Sequence, residues 1–408
     1  MQTLHERCAA LDVHKDIVVA CLRTVVKRKV RREVRRFSTM TCDLVALAEW
    51  LEKFGCTHVA MEATGVYWKP VWNILAGRFV LTLVNPAHVK NVPGRKSGVN
   101  DATWHADLLA HGLMRASFVP PEPIQELHDL TRTRKQITRE IVRHSQRIQA
   151  VLEEANIKLA SAISDVLGAS GRRILKAMIA GETDADKLAQ LGSPRLHSSR
   201  ARLREALHGC LRDHHRFLID QHLKMIEQLE AVVATFDARI KAAMVSFRDI
   251  IKRLSEVPGL RTTAIEILIA EIGVDMGYFP TVGHLLSWAG LVPRLDESAG
   301  KRCSTRVRKG GPWLKPALVQ CAWAAVRVKD SYFQALFFRL KARHGAKKAI
   351  IAVAAAILTV VYHMLRDGTC YKELGSEHFN RRDPERTARK LADRIRNLGY
   401  HVEIRSAA

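Results

Sequence analysis

Two long stretches of this chain contain neither glycine nor proline, and they constrain its fold more than any other feature. The first runs from Gln125 to about Leu159 and meets no such residue until Gly168; the second runs from Leu211 to Leu254. Glycine and proline are the residues that cost a helix interior most, so their absence leaves helix as the favoured state. In the first stretch apolar residues recur at 130, 137, 141, 148, 151 and 152 among mostly charged neighbours, the pattern of an amphipathic helix. Two such helices, divided by a region at 164–200 that reads as irregular, are expected to form an antiparallel coiled-coil arm or an oligomerisation stalk. The heptads are imperfect, and a plain helical bundle is the alternative.

The residues before this arm have a different texture. Residues 8–22 read as a strand, a turn and a second strand. Arg23 to Phe37, with eight Lys or Arg among β-branched residues, alternates like an exposed hairpin strand. Helical spacing follows over 42–54, a buried strand over 58–63, a helix over 66–75 despite Pro70, a strand over 79–86 and a helix over 100–111. This order suits an α/β layer on a mixed sheet. Beyond the arm, 255–372 reads as a mainly helical unit and 373–408 as a charged tail with one helix after Asp383-Pro384. The expected domains are therefore 1–122, 123–254, 255–372 and 373–408.

The charge balance narrows the function. Lys and Arg number 65 against 41 Asp and Glu, a net charge of +24. Such an excess attracts polyanions, and DNA or RNA is the favoured partner over an anionic membrane. The basic segment 23–36 reads either as a solvated face or as a contact for nucleic-acid backbone. The polar N-terminus reads as no secretory signal. The apolar stretch Ala349–Leu365, interrupted by His363, reads as a buried helix before a membrane span. The eight cysteines are scattered without a CxxC pair, which fits reduced thiols in a cytoplasm better than a zinc ribbon. Trp68, Trp72, Trp288, Trp313 and Trp323 are expected in core or interdomain packing.

Three acids stand where strand-borne carboxylates would meet. Asp12 lies in the first strand, Glu62 in a later strand, and Asp101 opens a helix. Carboxylates collected this way can hold Mg²⁺ ions that activate an attacking oxygen and stabilise a leaving one. Acids at strand ends are common, and spacing alone does not make them a site. The strings around them say more. LDVHKD (11–16), MEATGVYW (61–68) and VNPAHVKNVPGRKSGVNDATWHADLLAHGL (84–113) resemble the N-terminal domain of the insertion-sequence transposases called DEDD recombinases. The resemblance covers nearly all of 8–120. It implies an RNase-H-like fold, similar to Holliday-junction resolvases, with Asp12, Glu62 and Asp101 as three of four catalytic, Mg²⁺- or Mn²⁺-binding acids. The family usually reads K-[ST]-D-x-x-D-A, whereas here Lys96-Ser97 is followed by Gly98. Asp107 lies about a third of a turn from the face of Asp101 and does not simply replace the missing acid. Either this copy is impaired, or it works with three acids and more water.

The other end carries a second constellation. EVPGLRTTAIEILIAEIG (256–273) looks like a helix-hairpin-helix element, whose backbone amides can hold a phosphate. Further on, a loop with Ser298, Gly300, Lys301, Arg302, Arg306, Arg308 and Lys309 precedes a Gly-Gly-Pro break. A serine ringed by cations suits attack on a phosphoester, though such a loop can also merely bind phosphate. P-R-x-x-x-S-A-G-K followed by S-T-x-x-R-K-G is similar to the transposase domain of the same family. The resemblance implies Ser298 as a nucleophile that links covalently to DNA. Arg294, Lys301, Arg302, Arg306, Arg308 and Lys309, with Arg95 and Lys96 of the first domain, are the expected nucleic-acid contacts.

The reading that results is a cytoplasmic, nucleoid-associated bacterial recombinase that cleaves and rejoins DNA to move its element. The resemblance further implies a site made in trans within a homodimer or homotetramer, acting on donor and target DNA under a structured guide (bridge) RNA. It implies no membrane partner. Two alternatives remain: a Mg²⁺-dependent junction-resolving nuclease without a covalent step, and a decayed transposase that only binds nucleic acid, which Gly98 would favour.

Overall fold

The computed structural model describes residues 3–26, 29–63, 65–86, 101–293, 296–298, 300–304, 306–307, 310–381 and 384–404, with backbone alone at 296–298 and 302–303. It divides into two compact units, Met1–Val119 and Pro120–Ala408. The expected divisions near 254 and 372 fall inside the second unit.

The first unit is a five-stranded mixed sheet: β1 (Arg7–Val13), β2 (Ile17–Val26), β3 (Lys29–Ser38), β4 (His58–Glu62) and β5 (Val80–Val84). The strand order is β3-β2-β1-β4-β5. The first three strands run antiparallel, and β4 and β5 lie parallel to β1. This mixed α/β sheet is consistent with the expected RNase-H-like fold. Helices α1 (Thr41–Lys53) and α2 (Trp68–Leu75) cover one face with Leu44, Leu47, Leu51, Val71 and Leu75, packed on Leu11, Leu22, Val59 and Met61. Pro70 sits in the first turn of α2, where its missing N–H costs nothing. Helix α3 (Asp101–Ala110) covers the opposite face. There Ala10, Cys21 and Ala60 meet Ala102 and Ala106. Small side chains on both sides let helix and sheet approach closely, and the Cys8 thiol donates to the Ala106 carbonyl at 3.7 Å.

The edge strand β3 is exposed along most of its length, as the alternation suggested. Among the described basic residues of the segment, Arg23, on β2, departs from that picture and is buried.

In the second unit the glycine- and proline-free runs become α4 (Glu122–Glu154) and, after the short α5 (Leu159–Ala162), α6 (Ala169–Ile179), α7 (Ala185–Gln190) and α8 (Arg200–Leu207), the long α9 (Asp213–Ala243). Arg134 meets Asp237, and His144 meets His222, so residue numbers rise on one helix as they fall on the other and the pair is antiparallel. The region at 164–200 is not irregular as expected. It folds into short helices whose Ile174, Leu175, Met178, Leu188 and Leu203 form one core with Ile148 and Leu152 of α4 and Ile219 and Leu223 of α9.

Next come α10 (Arg248–Leu254) and α11 (Thr262–Ile272), joined by a turn through Gly259. Its φ is +86°, and a Cβ there would lie 2.3 Å from the Cys321 carbonyl oxygen, so both conformation and space demand glycine. Helix α12 (Val282–Trp288) leads to β6 (Asp296–Ser298) and β7 (Lys301–Ser304), then α13 (Leu314–Ala325), α14 (Tyr332–His344), α15 (Ala346–Asp367), α16 (His378–Arg381) and α17 (Pro384–Asn397). Length and composition alone would let α15 cross a membrane. In this fold it is a core helix instead, with Val353, Ile357, Leu358 and Val361 fully buried. The Tyr362 hydroxyl donates to the Phe279 carbonyl at 2.9 Å. Trp323, expected in packing, is 41% exposed and touches Phe337 edge-on.

Candidate active site

Parallel pairing of β1 with β4 sets Leu11 opposite Met61, so the next residues, Asp12 and Glu62, stand level on neighbouring strands. Strands in a sheet lie about 4.8 Å apart, which makes these acids side-by-side neighbours. Alternation places both on the face covered by α3, at the carboxyl ends of their strands, and each keeps about a fifth of its side chain exposed. Asp101 is the first residue of α3. His105, one helical turn further on, brings Nε2 to 3.8 Å from Glu62 Oε2. The first turn of α3 therefore lies over the strand ends that carry Asp12 and Glu62. His14 Nε2 sits 3.3 Å from Asp12 Oδ2. The two histidines beside the acids were not foreseen: His105 is a contact made across the fold, and His14 sits in the turn after β1.

All three acids offer hard oxygen donors, the kind a Mg²⁺ ion takes while keeping several waters. Two of them are adjacent and the third opens the covering helix. Among the described residues no three His, Cys, Asp or Glu side chains come close enough to hold a metal ion together. Gly98, Arg95 and Lys96 lie outside the described residues.

Asp107 has a different partner set. It accepts from Arg23 Nε at 3.0 Å and from Arg32 Nη2 at 3.0 Å, tying α3 to β2 and β3. Arg23 is 3% exposed, and a buried guanidinium that loses its carboxylate partner is strongly destabilising. Asp107→Ala is therefore expected to cost about 3 kcal/mol of stability, on the scale of breaking a buried ion pair. Asp12→Ala, at a partly exposed acid, should melt close to the parent. Thermal melts of the two variants check this, and equal melting points would show that Asp107 does not hold Arg23.

The serine region is a hairpin rather than the expected loop. Backbone pairing sets Ser298 against Lys301 and Glu297 against Arg302, with a register shift at Asp296/Glu297. Gly300 follows at the tip with φ +75°, and Ala299 lies outside the described residues. A bridge between Pro293 and Val307 closes the base. Ser298 thus ends β6 at the hairpin tip, directly opposite Lys301. The Arg306 amide donates to the Ser304 hydroxyl at 3.2 Å. Arg294, Arg308 and Lys309 lie outside the described residues. After the hairpin, Gly310 and Gly311 pass close to the end of α12. A Cβ on Gly311 would lie 3.0 Å from the Ala289 carbonyl oxygen.

Behind this segment α11 is fastened to α4 by two ion clusters. Arg132 donates through Nε and Nη2 to both oxygens of Glu271 at 2.7 and 2.8 Å, and Arg134 Nη1 meets Glu266 and Asp237 at 2.8 Å each. His128 stands beside Glu271, and burial holds its pKa below the ordinary histidine range. Trp313, at the end of the segment, lies under the guanidinium groups of Arg132 and Arg139.

Comparison with known proteins places both halves. Residues 9–157 match the DEDD transposases of IS110, and residues 251–337 match the transposase IS116/IS110/IS902 family. Together the matches take in more than half of the chain. An insertion element IS110 uncharacterized 43.6 kDa protein of Streptomyces coelicolor is 30% identical over 148 residues, which is 36% of this chain and 35% of that protein. The two matches fall in the expected order, one on the paired acids and one on the serine hairpin, and the chain belongs to the IS110 family of insertion-sequence DEDD transposases.

Proposed function

We propose that this chain is a DNA recombinase that moves its insertion sequence by cutting and rejoining strands with Ser298 as nucleophile. The observation that carries the reading is the register that sets Asp12 beside Glu62 under the helix opened by Asp101, in a chain that also carries the serine hairpin. Ser298 Oγ attacks phosphorus, a P–O bond to one strand breaks, and the serine proton leaves to a base or to the departing oxygen. Rejoining reverses the step with a new strand end, so the phosphodiester is conserved. Lys301, Arg302, Arg306 and, outside the described residues, Arg294, Arg308 and Lys309 offset the charge that builds on the phosphate. Arg95 and Lys96 contact the backbone from the first unit.

Asp12, Glu62 and Asp101 would hold Mg²⁺ or Mn²⁺, which when bound withdraws charge from the reacting phosphate. His105 and His14 keep the Glu62 and Asp12 carboxylates oriented. The paired helices α4 and α9 act as a coiled-coil arm that assembles a dimer or tetramer. The α10–α11 hairpin acts as a helix-hairpin-helix phosphate holder. Donor and target DNA are the substrates, and a structured guide RNA pairs with both, leaving the protein mainly backbone contacts. The expected place of action is the bacterial cytoplasm, at the nucleoid.

Incubation of labelled donor and target DNA with the protein, its element-end RNA and Mg²⁺ tests the reading. Joined product is expected, and Gly98→Asp should raise its yield by about tenfold or more, the scale on which metal-site groups tune affinity. Binding without cleavage in both proteins would leave a nucleic-acid-binding protein in place of a recombinase.

A further inference from the structure

We propose that Lys135 and Arg139 of α4, with Trp313 as their support, form a phosphodiester-binding clamp that continues the cationic strip of the serine hairpin onto the arm helix. The inference rests on the nucleic-acid reading above and names a contact surface beyond it.

Arg132, Lys135 and Arg139 follow one another at helical spacing and share one stripe of α4. Their electrostatic situations differ. Arg132 is neutralised by its two-point bond to the buried Glu271, and Arg134, close by, has Glu266 and Asp237. Lys135 and Arg139 have no carboxylate partner among the described residues. Lys135 is half-buried, facing Arg139, Arg134 and the Cys321 thiol, and burial with those two guanidinium groups holds its pKa below the ordinary lysine range. Like charges one turn apart repel each other. Every other cation in this cluster has been given an acid by the fold, and this pair has not. A phosphate oxygen, brought from outside, would satisfy both.

Trp313 gives the pair a defined geometry. The Arg139 guanidinium lies 5.2 Å from the centre of its ring and the Arg132 guanidinium 5.7 Å. A guanidinium held on an aromatic face keeps its N–H fork at the edge, preorganised for two-point bonding to phosphate. The ring is also anchored to the hairpin. Trp313 stands six positions after Val307 at the hairpin base, a span of about 20 Å at most. Within it Gly310 and Gly311 are pressed against the end of α12. In the proposed clamp a nucleic-acid strand held at the hairpin runs on to Arg139, whose guanidinium lies 5.2 Å from the Trp313 ring centre. Phosphate suits this site better than an acidic peptide because the fork is paired with a second cation and an aromatic platform, and neither needs a particular side-chain sequence.

The test is a salt titration of binding to a fluorescent DNA duplex of arbitrary sequence, read by anisotropy with the full chain. The parent is expected to show a steep fall of affinity with salt. Lys135→Gln and Arg139→Gln should each flatten the log–log slope by about 0.9, the change for one lost phosphate contact, and the double variant by about twice that. Arg139→Lys, which keeps the charge but not the fork, should retain the slope with weaker binding. A loss of slope shared by Arg139→Lys would mean that the arm was disturbed rather than a charge removed, and would overturn the proposal. Parent-like slopes in all variants would overturn it as well. A parent that shows no salt-dependent binding would sink the nucleic-acid reading itself, an outcome distinct from failure of the clamp.

Discussion

Ser298→Ala is expected to reduce strand joining by at least about 10³-fold, the scale on which loss of a nucleophile is felt in serine enzymes. The substitution removes one oxygen at the end of β6. The backbone pairing of Ser298 with Lys301 does not depend on it, so the hairpin should keep its shape. Salt-dependent binding to DNA should also persist, because the cations that carry it are untouched. The discriminating comparison is product yield against binding in one preparation. A nuclease that used only the carboxylates would cut equally well without the hydroxyl. Retained cleavage by the alanine variant would therefore favour the hydrolytic alternative over the covalent one.

Asp12→Asn and Glu62→Gln are expected to lower joining by about 10²-fold or more, with the order set by what removing one charge-stabilising group costs a transition state. Each change keeps the size of the side chain and removes its charge. The sheet register that sets the two residues side by side should survive, and melting should stay close to the parent. The defect should ease as Mg²⁺ or Mn²⁺ is raised, since a weakened site is filled by mass action. Asp107→Asn should behave in the opposite sense. It loosens α3 through Arg23 and Arg32, and it should shift melting before it shifts metal dependence. If Asp12→Asn joined DNA at the parental rate, the carboxylate site would have no part in the chemistry.

The elements that could be read from sequence are those whose pattern is local. Long helices α4 and α9 follow from uninterrupted amphipathic runs, and β1, β2, β4 and β5 from short apolar runs bounded by turns. What the pattern missed has physical reasons. The 164–200 region contains Gly168, Gly171, Gly181, Gly192 and Pro194, which look like breakers. Gly171, however, sits inside α6 because a Cβ there would lie 2.1 Å from the Val166 carbonyl oxygen. It marks a close approach, not a helix end. The serine hairpin escaped because its strands are only 3 and 4 residues long and mostly polar or charged, too short for alternation to register.

The candidate site divides in the same way. The distinctive strings around Asp12, Glu62 and Asp101 singled these acids out as candidates, and the pairing of β1 with β4 gives the first two a common address. The partners of Asp107 were not legible, because Arg23 and Arg32 are brought to it only when the sheet forms. The same holds for His105 at Glu62 and for Trp313 under Arg132 and Arg139. Each depends on an element distant in sequence, and no local spacing announces it.

The covalent intermediate is the most direct test of the account. Protein, element-end RNA, Mg²⁺ and labelled DNA would be mixed, denatured and resolved on a gel, and any protein–DNA adduct digested and mapped. The account predicts an adduct that survives denaturation, maps to the peptide containing Ser298 and is lost in Ser298→Ala, either in the protein as it stands or once Gly98→Asp restores the acid. Free cleaved DNA with no adduct in both proteins would contradict it.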